Sequence, residues 1–160
     1  MKIMIISDTH RERRNFYKAL EREKPIDLLV HCGDLQMDEL ELGTMAGCRI
    51  EAVAGNMDFD ASLPKEKVFM IGAYKAFLTH GHLYGAHFDD GELRRVGEEE
   101  GADIVMFGHT HCPLIKKYGD MVILNPGSIS FPRQADRRPT YAVMTIDEAG
   151  EAKYEIKYVS

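Results

Sequence analysis

Five short apolar runs punctuate the first two thirds of the chain: "KIMIIS" from Lys2, "DLLVHC" from Asp27, "IEAVAG" from Ile50, "KAFLTH" from Lys75 and "DIVMFG" from Asp103. Each is too short for a buried helix and too continuously apolar for a strand with one wet face. They therefore predict central strands covered on both sides. Between the first two, "RRNFYKALEREK" places Phe16, Ala19 and Leu20 at helical spacing, and Pro25 closes the helix. A second amphipathic helix is predicted in "FDDGELRRVGEEEG", capped near Asp89 or Asp90 and stopped by Gly101. Further on the pattern becomes that of antiparallel hairpins. "LIKKYGDMVILN" turns at Gly119-Asp120, "YAVMTIDEAGEAKYEIKYV" turns around Glu148 to Gly150, and "MIGAYKAF" predicts a tight hairpin at Gly72-Ala73. With no repeat, low-complexity tract or linker, residues 1–160 read as one α/β domain. Its mixed sheets are expected to pack face to face between helices.

The formal net charge of -6 argues against a long nucleic-acid partner, whose binding rests on clustered Lys and Arg. No basic-then-apolar leader and no long apolar span is present, so neither secretion nor membrane insertion is expected. Cys32, Cys48 and Cys112 form no C-x-x-C pair and are odd in number. They read as small reduced thiols, which fits a cytoplasmic setting.

Polar residues with metal chemistry follow the predicted strands. Asp8 and His10 come after the first, Asp34 after the second, Asn56 after the third, His80 after the fourth, and His109 and His111 after the fifth. In open α/β sheets ligands gather beyond the carboxyl ends of strands, so these residues can converge although far apart in sequence. Carboxylates mixed with imidazoles suit Mn, Fe, Zn or Ni better than Ca or Mg. Alternate positions in D-x-H and H-x-H let one loop face two ions, and a carboxylate such as Asp34 can bridge them. Gly33, Gly55, Gly81 and Gly108 flank these positions, where a side chain would obstruct close approach. His31, inside an apolar strand, reads as a satisfied core residue, His82 as a neighbour of the site and His87 as solvent-facing.

Taken in order, "DTH", "GD", "GNMD", "THGH", "GHTH" and "NPGSIS" resemble the calcineurin-like metallophosphoesterase superfamily, and within it the small YfcE-type phosphodiesterase branch. The resemblance spans Met1 to about Tyr141. It implies a four-layer α-β-β-α sandwich of two mixed sheets with a dinuclear centre at the sheet tips. Carried over motif by motif, Asp8, His10, Asp34 and His111 would hold one ion, and Asp34, Asn56, His80 and His109 the other. Two divalent transition-metal ions are expected, Mn first, with Ni, Fe or Zn as alternatives.

The expected reaction is hydrolysis of a small phosphoester, a diester first, by in-line attack of a hydroxide bridging the two ions. Asp34, Asn56, His80 and His109 would act catalytically by placing metal and phosphate, and Asn56 would also touch substrate. The loop from Phe131 to Pro139 carries Arg133, Arg137 and Arg138. Arg133 is the candidate to orient a phosphate with its planar donor fork, against the plainer reading of a solvated basic loop. One departure concerns Met57, which stands where many superfamily phosphatases carry a histidine that protonates the leaving oxygen. A thioether has no proton to give. A phosphomonoesterase or nucleotide phosphatase is the alternative within the class, and a scaffold resembling the retromer subunit of this fold is the alternative outside it. Self-association is compatible with the sequence.

Overall fold

Strand alternation decides which core receives each apolar side chain. In β1 (Lys2–Ile6), Met4 and Ile6 turn to one face while Ile3 and Ile5 turn to the other, all fully buried. The computed structural model, which describes residues 1–59 and 62–160, repeats this division through both of its sheets. The first sheet has the order β10-β9-β1-β2-β3, where β2 is Leu28–His31, β3 Arg49–Ala52, β9 Thr140–Ile146 and β10 Ala152–Tyr158. The second has the order β4-β5-β6-β8-β7, where β4 is Glu66–Ile71, β5 Tyr74–Thr79, β6 Ile104–Met106, β7 Pro113–Tyr118 and β8 Met121–Pro126.

Three apolar layers result. One lies between the first sheet and helices α1 (Arg14–Glu23) and α2 (Glu39–Ala46). A second lies between the sheets, where Ile3, Ile5 and Val30 meet Leu78, Met106 and Leu124. The third packs Phe77, Val105 and Ile123 against Leu93 and Val96 of α3 (Gly91–Glu100). This is the expected α-β-β-α sandwich of two mixed sheets. The predicted hairpin turns fall between β4 and β5, β7 and β8, and β9 and β10.

One local expectation changes. The run from Ile50 does not form a central strand: β3 is the edge of its sheet and only Ala52 in it is buried. Helix α3 begins where expected, after Asp89 and Asp90: the side chain of Asp89 accepts the Gly91 N–H at 2.9 Å, and that of Asp90 accepts the Tyr118 hydroxyl at 2.7 Å. Among the described residues no helix is long and apolar enough to cross a membrane, and the three cysteines are free.

What the fold does for function follows from strand direction. β1, β2 and β3 run parallel, as do β5, β6 and β8 in the other sheet. Their carboxyl ends deliver the loops beginning at Ser7, Cys32, Val53, His80 and Phe107 to one side of the molecule.

Candidate metal centre

The loop tips bring together five of the seven expected ligands. Single donor atoms of Asp8, His10 and His111 lie within 4.8 Å of one another, and so do those of Asp8, Asp34 and His80. Nε2 of His111 is 3.1 Å from Asp8 Oδ1, and Nε2 of His10 is 3.8 Å from the same oxygen. Asp34 Oδ2 stands 3.3 Å from His80 Nε2 and 3.7 Å from His10 Nε2. Asp34 thus faces imidazoles of both predicted sets. Asp8 does too, since its Oδ1 is also 3.8 Å from His80 Nε2. Asn56 joins through Oδ1, 3.1 Å from His80 Nε2.

Each of these imidazoles is anchored through its other nitrogen. His10 Nδ1 donates to Gln36 Oε1 at 2.7 Å, His80 Nδ1 to the Cys32 carbonyl at 2.7 Å, and His111 Nδ1 to the Phe131 carbonyl at 2.6 Å. An oxygen acceptor holds the proton on Nδ1, so a neutral ring presents a lone pair from Nε2 to the cluster. His80 Nε2 and Asn56 Oδ1 then face each other as two acceptors, and a cation would resolve the conflict. Asp8 Oδ1 is buried and meets no donor in hydrogen-bond geometry, which an ionised oxygen avoids unless a cation occupies the gap. The donor set therefore fits divalent transition-metal ions.

Electrostatics agree. Burial pushes the Asp8 carboxyl up, but His111, His80 and Ser7 outweigh it and the net direction is down. For Asp34 burial is likewise overcome, by His80, the Met57 amide and His10, leaving it at about 2. Burial lowers His80, yet the carboxylates of Asp34 and Asp8 facing it raise it overall, drawing to Nε2 the positive charge that a proton or a cation can supply. Two buried carboxylates, ionised at neutral pH, thus pull positive charge toward one point.

Close backbone approach makes the cluster feasible. A Cβ on Gly55 would overlap the Asp34 carboxylate, and one on Gly108 would overlap Ser7 Oγ. Asp58 is held by the amides of Leu35, Gln36 and Gly55 at 2.7–3.2 Å, which makes it the brace of the turn that carries Asn56. His31 is core, as expected: fully buried, its Nδ1 accepts from Gly33 N–H and its Nε2 donates to Thr9 Oγ1, with burial pressing its pKa down to about 3.

His109 stands beside the two triads rather than in them, its ring centroid 5.0 Å from that of His80. Burial, then His80 and His87, lower it to about 4, so the ring is neutral. His87 is exposed as expected, yet its ring leans on that of His109, tilted by 58° with centroids 4.3 Å apart. Arg133 is exposed; its backbone N–H donates to the His111 carbonyl at 3.0 Å, which sets the loop beside the site.

The supporting residues were beyond sequence reasoning. Gln36 shows no motif; only the sequence proximity to Asp34 could have drawn attention to it. Asn125 and Ser128 lie in the recognised "NPGSIS" stretch, but their roles did not. Asn125 Nδ2 donates to the Gly108 carbonyl at 2.9 Å, and Ser128 Oγ to the Asp8 carbonyl at 2.9 Å.

A family model described as a calcineurin-like phosphoesterase superfamily domain matches residues 1–149. The chain belongs to that superfamily. Among calcineurin-like relatives, the "Probable metallophosphoesterase" of Methanothermobacter thermautotrophicus is 38% identical over 154 residues, covering 92% of this chain and 87% of that protein. A phosphodiesterase of Methanocaldococcus jannaschii is 28% identical over 144 residues, covering 79% and 83%. In three dimensions a Streptococcus pneumoniae TIGR4 protein described as a predicted phosphoesterase superposes with a TM-score of 0.81 at 31% identity, over 98% of this chain and 97% of that one. Vps29 of Entamoeba histolytica, solved with Zn²⁺, shares the fold: TM-score 0.79, 24% identity, full coverage of both chains.

Proposed function

We propose that this calcineurin-like protein is a metal-dependent phosphodiesterase. The observation that carries the reading is the meeting of two ionised carboxylates with three imidazoles whose Nδ1 protons are all tied back to oxygen acceptors. Two divalent ions, Mn first among Mn, Ni, Fe and Zn, would supply Lewis acidity toward a water molecule and toward the phosphoryl oxygens. Asp8, His10, Asp34 and His111 would hold one ion; Asp34, Asn56, His80 and His109 would hold the other.

The chain's own contribution is to bind and orient. Asn56 is exposed, and with Oδ1 turned to His80 its Nδ2 is free to donate to a phosphoryl oxygen. Neutral His109 adds a polar edge beside the His80 ring. Met57 offers its backbone N–H to Asp34 Oδ1 at 2.8 Å, but its half-exposed thioether supplies no proton. A diester with a good leaving group suits a site without that acid, and a phosphodiesterase among the relatives supports the choice. Small substrates and a cytoplasmic location accord with the negative charge and the free thiols.

Metal-stripped protein assayed on a panel of diesters and monoesters with added Mn, Ni, Zn, Fe or Mg tests the reading. Diester turnover should appear with a transition metal and be abolished in Asp34→Ala. No turnover with any metal would leave the scaffold reading, for which the Vps29 fold is the precedent.

A further inference from the structure

Beside the cluster lies a cavity of about 520 Å³ lined by Arg11, Gln36, Met37, Met57, Phe59 and Leu63, within the size range of small-molecule sites. It shares a wall with the metal centre: Gln36 is the anchor of His10, and the Met57 amide that of Asp34. A group attached to a phosphoryl centre at the cluster could reach the cavity past this shared wall.

The free chemistry of the lining is selective. Its carboxylates are already committed, Asp38 to the Leu40 N–H at 2.9 Å and Asp58 to its three amides. Gln36 spends its oxygen on His10 and keeps its amide protons. Arg11 forms no ion pair among the described residues. The rest is soft and apolar: the thioethers of Met37 and Met57, and the ring of Phe59, which is 89% exposed. An aliphatic group would cover these faces but leave the Gln36 and Arg11 donors facing it without acceptors, which is costly once water is displaced. A flat ring with acceptors on its edge satisfies both.

We propose that this cavity seats an aromatic substituent of the scissile phosphodiester, an aryl ring or nucleobase, stacked on Phe59 and the methionines with its edge read by Gln36 and Arg11. The inference rests on the phosphodiesterase reading and names its substrate class. A second hollow of about 360 Å³, with Gly55, Lys65 and His82 in its lining, lies against Phe59 as well. The two substituents of a diester thus have separate room.

Calorimetric titration of the metal-loaded full chain with non-hydrolysable phosphinates tests this apart from turnover. Methyl(phenyl)phosphinate should bind about tenfold more tightly than dimethylphosphinate, the scale of a ring contact with its buried area. Phe59 is exposed, so Phe59→Ala should keep the fold and lose most of that advantage. A para-carboxamide on the ring should tighten binding several-fold in the parent and not in Arg11→Gln. Equal binding of the phenyl and methyl probes, or an undiminished preference in Phe59→Ala, overturns the inference; no gain from the carboxamide overturns the role given to the donors. Failure of the phosphodiesterase reading is distinguishable, because the chain would then hydrolyse no diester while the phosphinate preference stands or falls separately.

Discussion

Asp8, His10, Asp34, His109 and His111 all hold positive φ, between 45° and 68°, and so does Gln36 at 52°. A left-handed backbone costs a non-glycine residue roughly 1–2 kcal/mol, so the tips are held by the bonds around them: Asp8 N–H on the Gly33 carbonyl at 3.0 Å, His10 N–H on that of Asp34 at 3.1 Å. The candidate ligands were legible because acids and imidazoles directly after apolar strands are conspicuous. Their conformations and anchors were not, since those depend on loops distant in sequence. Gln36→Asn tests an anchor: asparagine tolerates positive φ but falls a methylene short of His10. Metal affinity, measured by competition with a chelating dye, should drop about 10–100-fold; unchanged affinity would show that Gln36 does not orient the ring. Met57 carries a second expectation. Without a proton donor at that position, turnover should depend steeply on leaving-group pKa, with aryl diesters ahead of alkyl monoesters. Met57→His should improve poor leaving groups more than activated ones, toward the ~10²–10⁴-fold reach of general-acid assistance. A uniform change across the series, with metal content unaltered, would refute it.

At the scale of elements, helix α1 shows how a predicted amphipathic helix is fastened. Phe16, Ala19, Leu20 and Glu23 form its buried face, and the last of these is a carboxylate that helical spacing puts on that face although its charge alone would favour solvent. Lys2 of β1 meets Glu23 at 3.0 Å, Lys157 of β10 at 2.9 Å, and the Tyr141 hydroxyl of β9 donates to it at 2.8 Å. Burial raises its pKa, but Lys157, Lys2 and Tyr141 together bring it below the ordinary value. A carboxyl depressed in the folded state stabilises the fold above its unfolded pKa, about 4.3, and that stability is lost as pH falls through the folded value. Glu23→Gln should therefore cost about 1.5–3 kcal/mol at pH 7, with the gap in urea midpoints closing below about pH 4.3. A gap independent of pH would mean that shape, not charge, fastens the helix. Strands and hairpins were legible from apolar runs and glycine turns, whereas α2 was not. Leu42 and Ala46 are its only buried residues, Leu40 is 71% exposed, and Gly43 lies inside it against Ile50. Its signals are the Asp38 cap and Gly47 at φ 69°, not a stripe.

For the whole molecule, the candidate metal centre is a joint between the sheets. Asp8, His10 and Asp34 leave the first sheet and His80, His109 and His111 leave the second, so neither sheet supplies a complete triad. Protein bonds already cross the seam: His109 N–H to Asp8 Oδ2 at 3.2 Å, Ile129 N–H to the Ser7 carbonyl at 3.2 Å, and Ser128 Oγ to the Asp8 carbonyl. Ions held from both sides would fasten the sheets further while neutralising the two carboxylates between them. A ligand that binds only the folded state adds RT ln(1 + [L]/Kd), about 2.7 kcal/mol at a hundredfold excess over Kd. Adding Mn to stripped protein should thus raise the melting temperature in a concentration-dependent way. Hydrogen exchange should slow at the ends of both sheets together, after β1 and β2 in one and after β5 and β6 in the other. Asp34→Ala should reduce the thermal shift and the joint protection in parallel. Protection confined to one sheet would mean that the ions are held by one set of loops and that the division of ligands between the sheets is wrong.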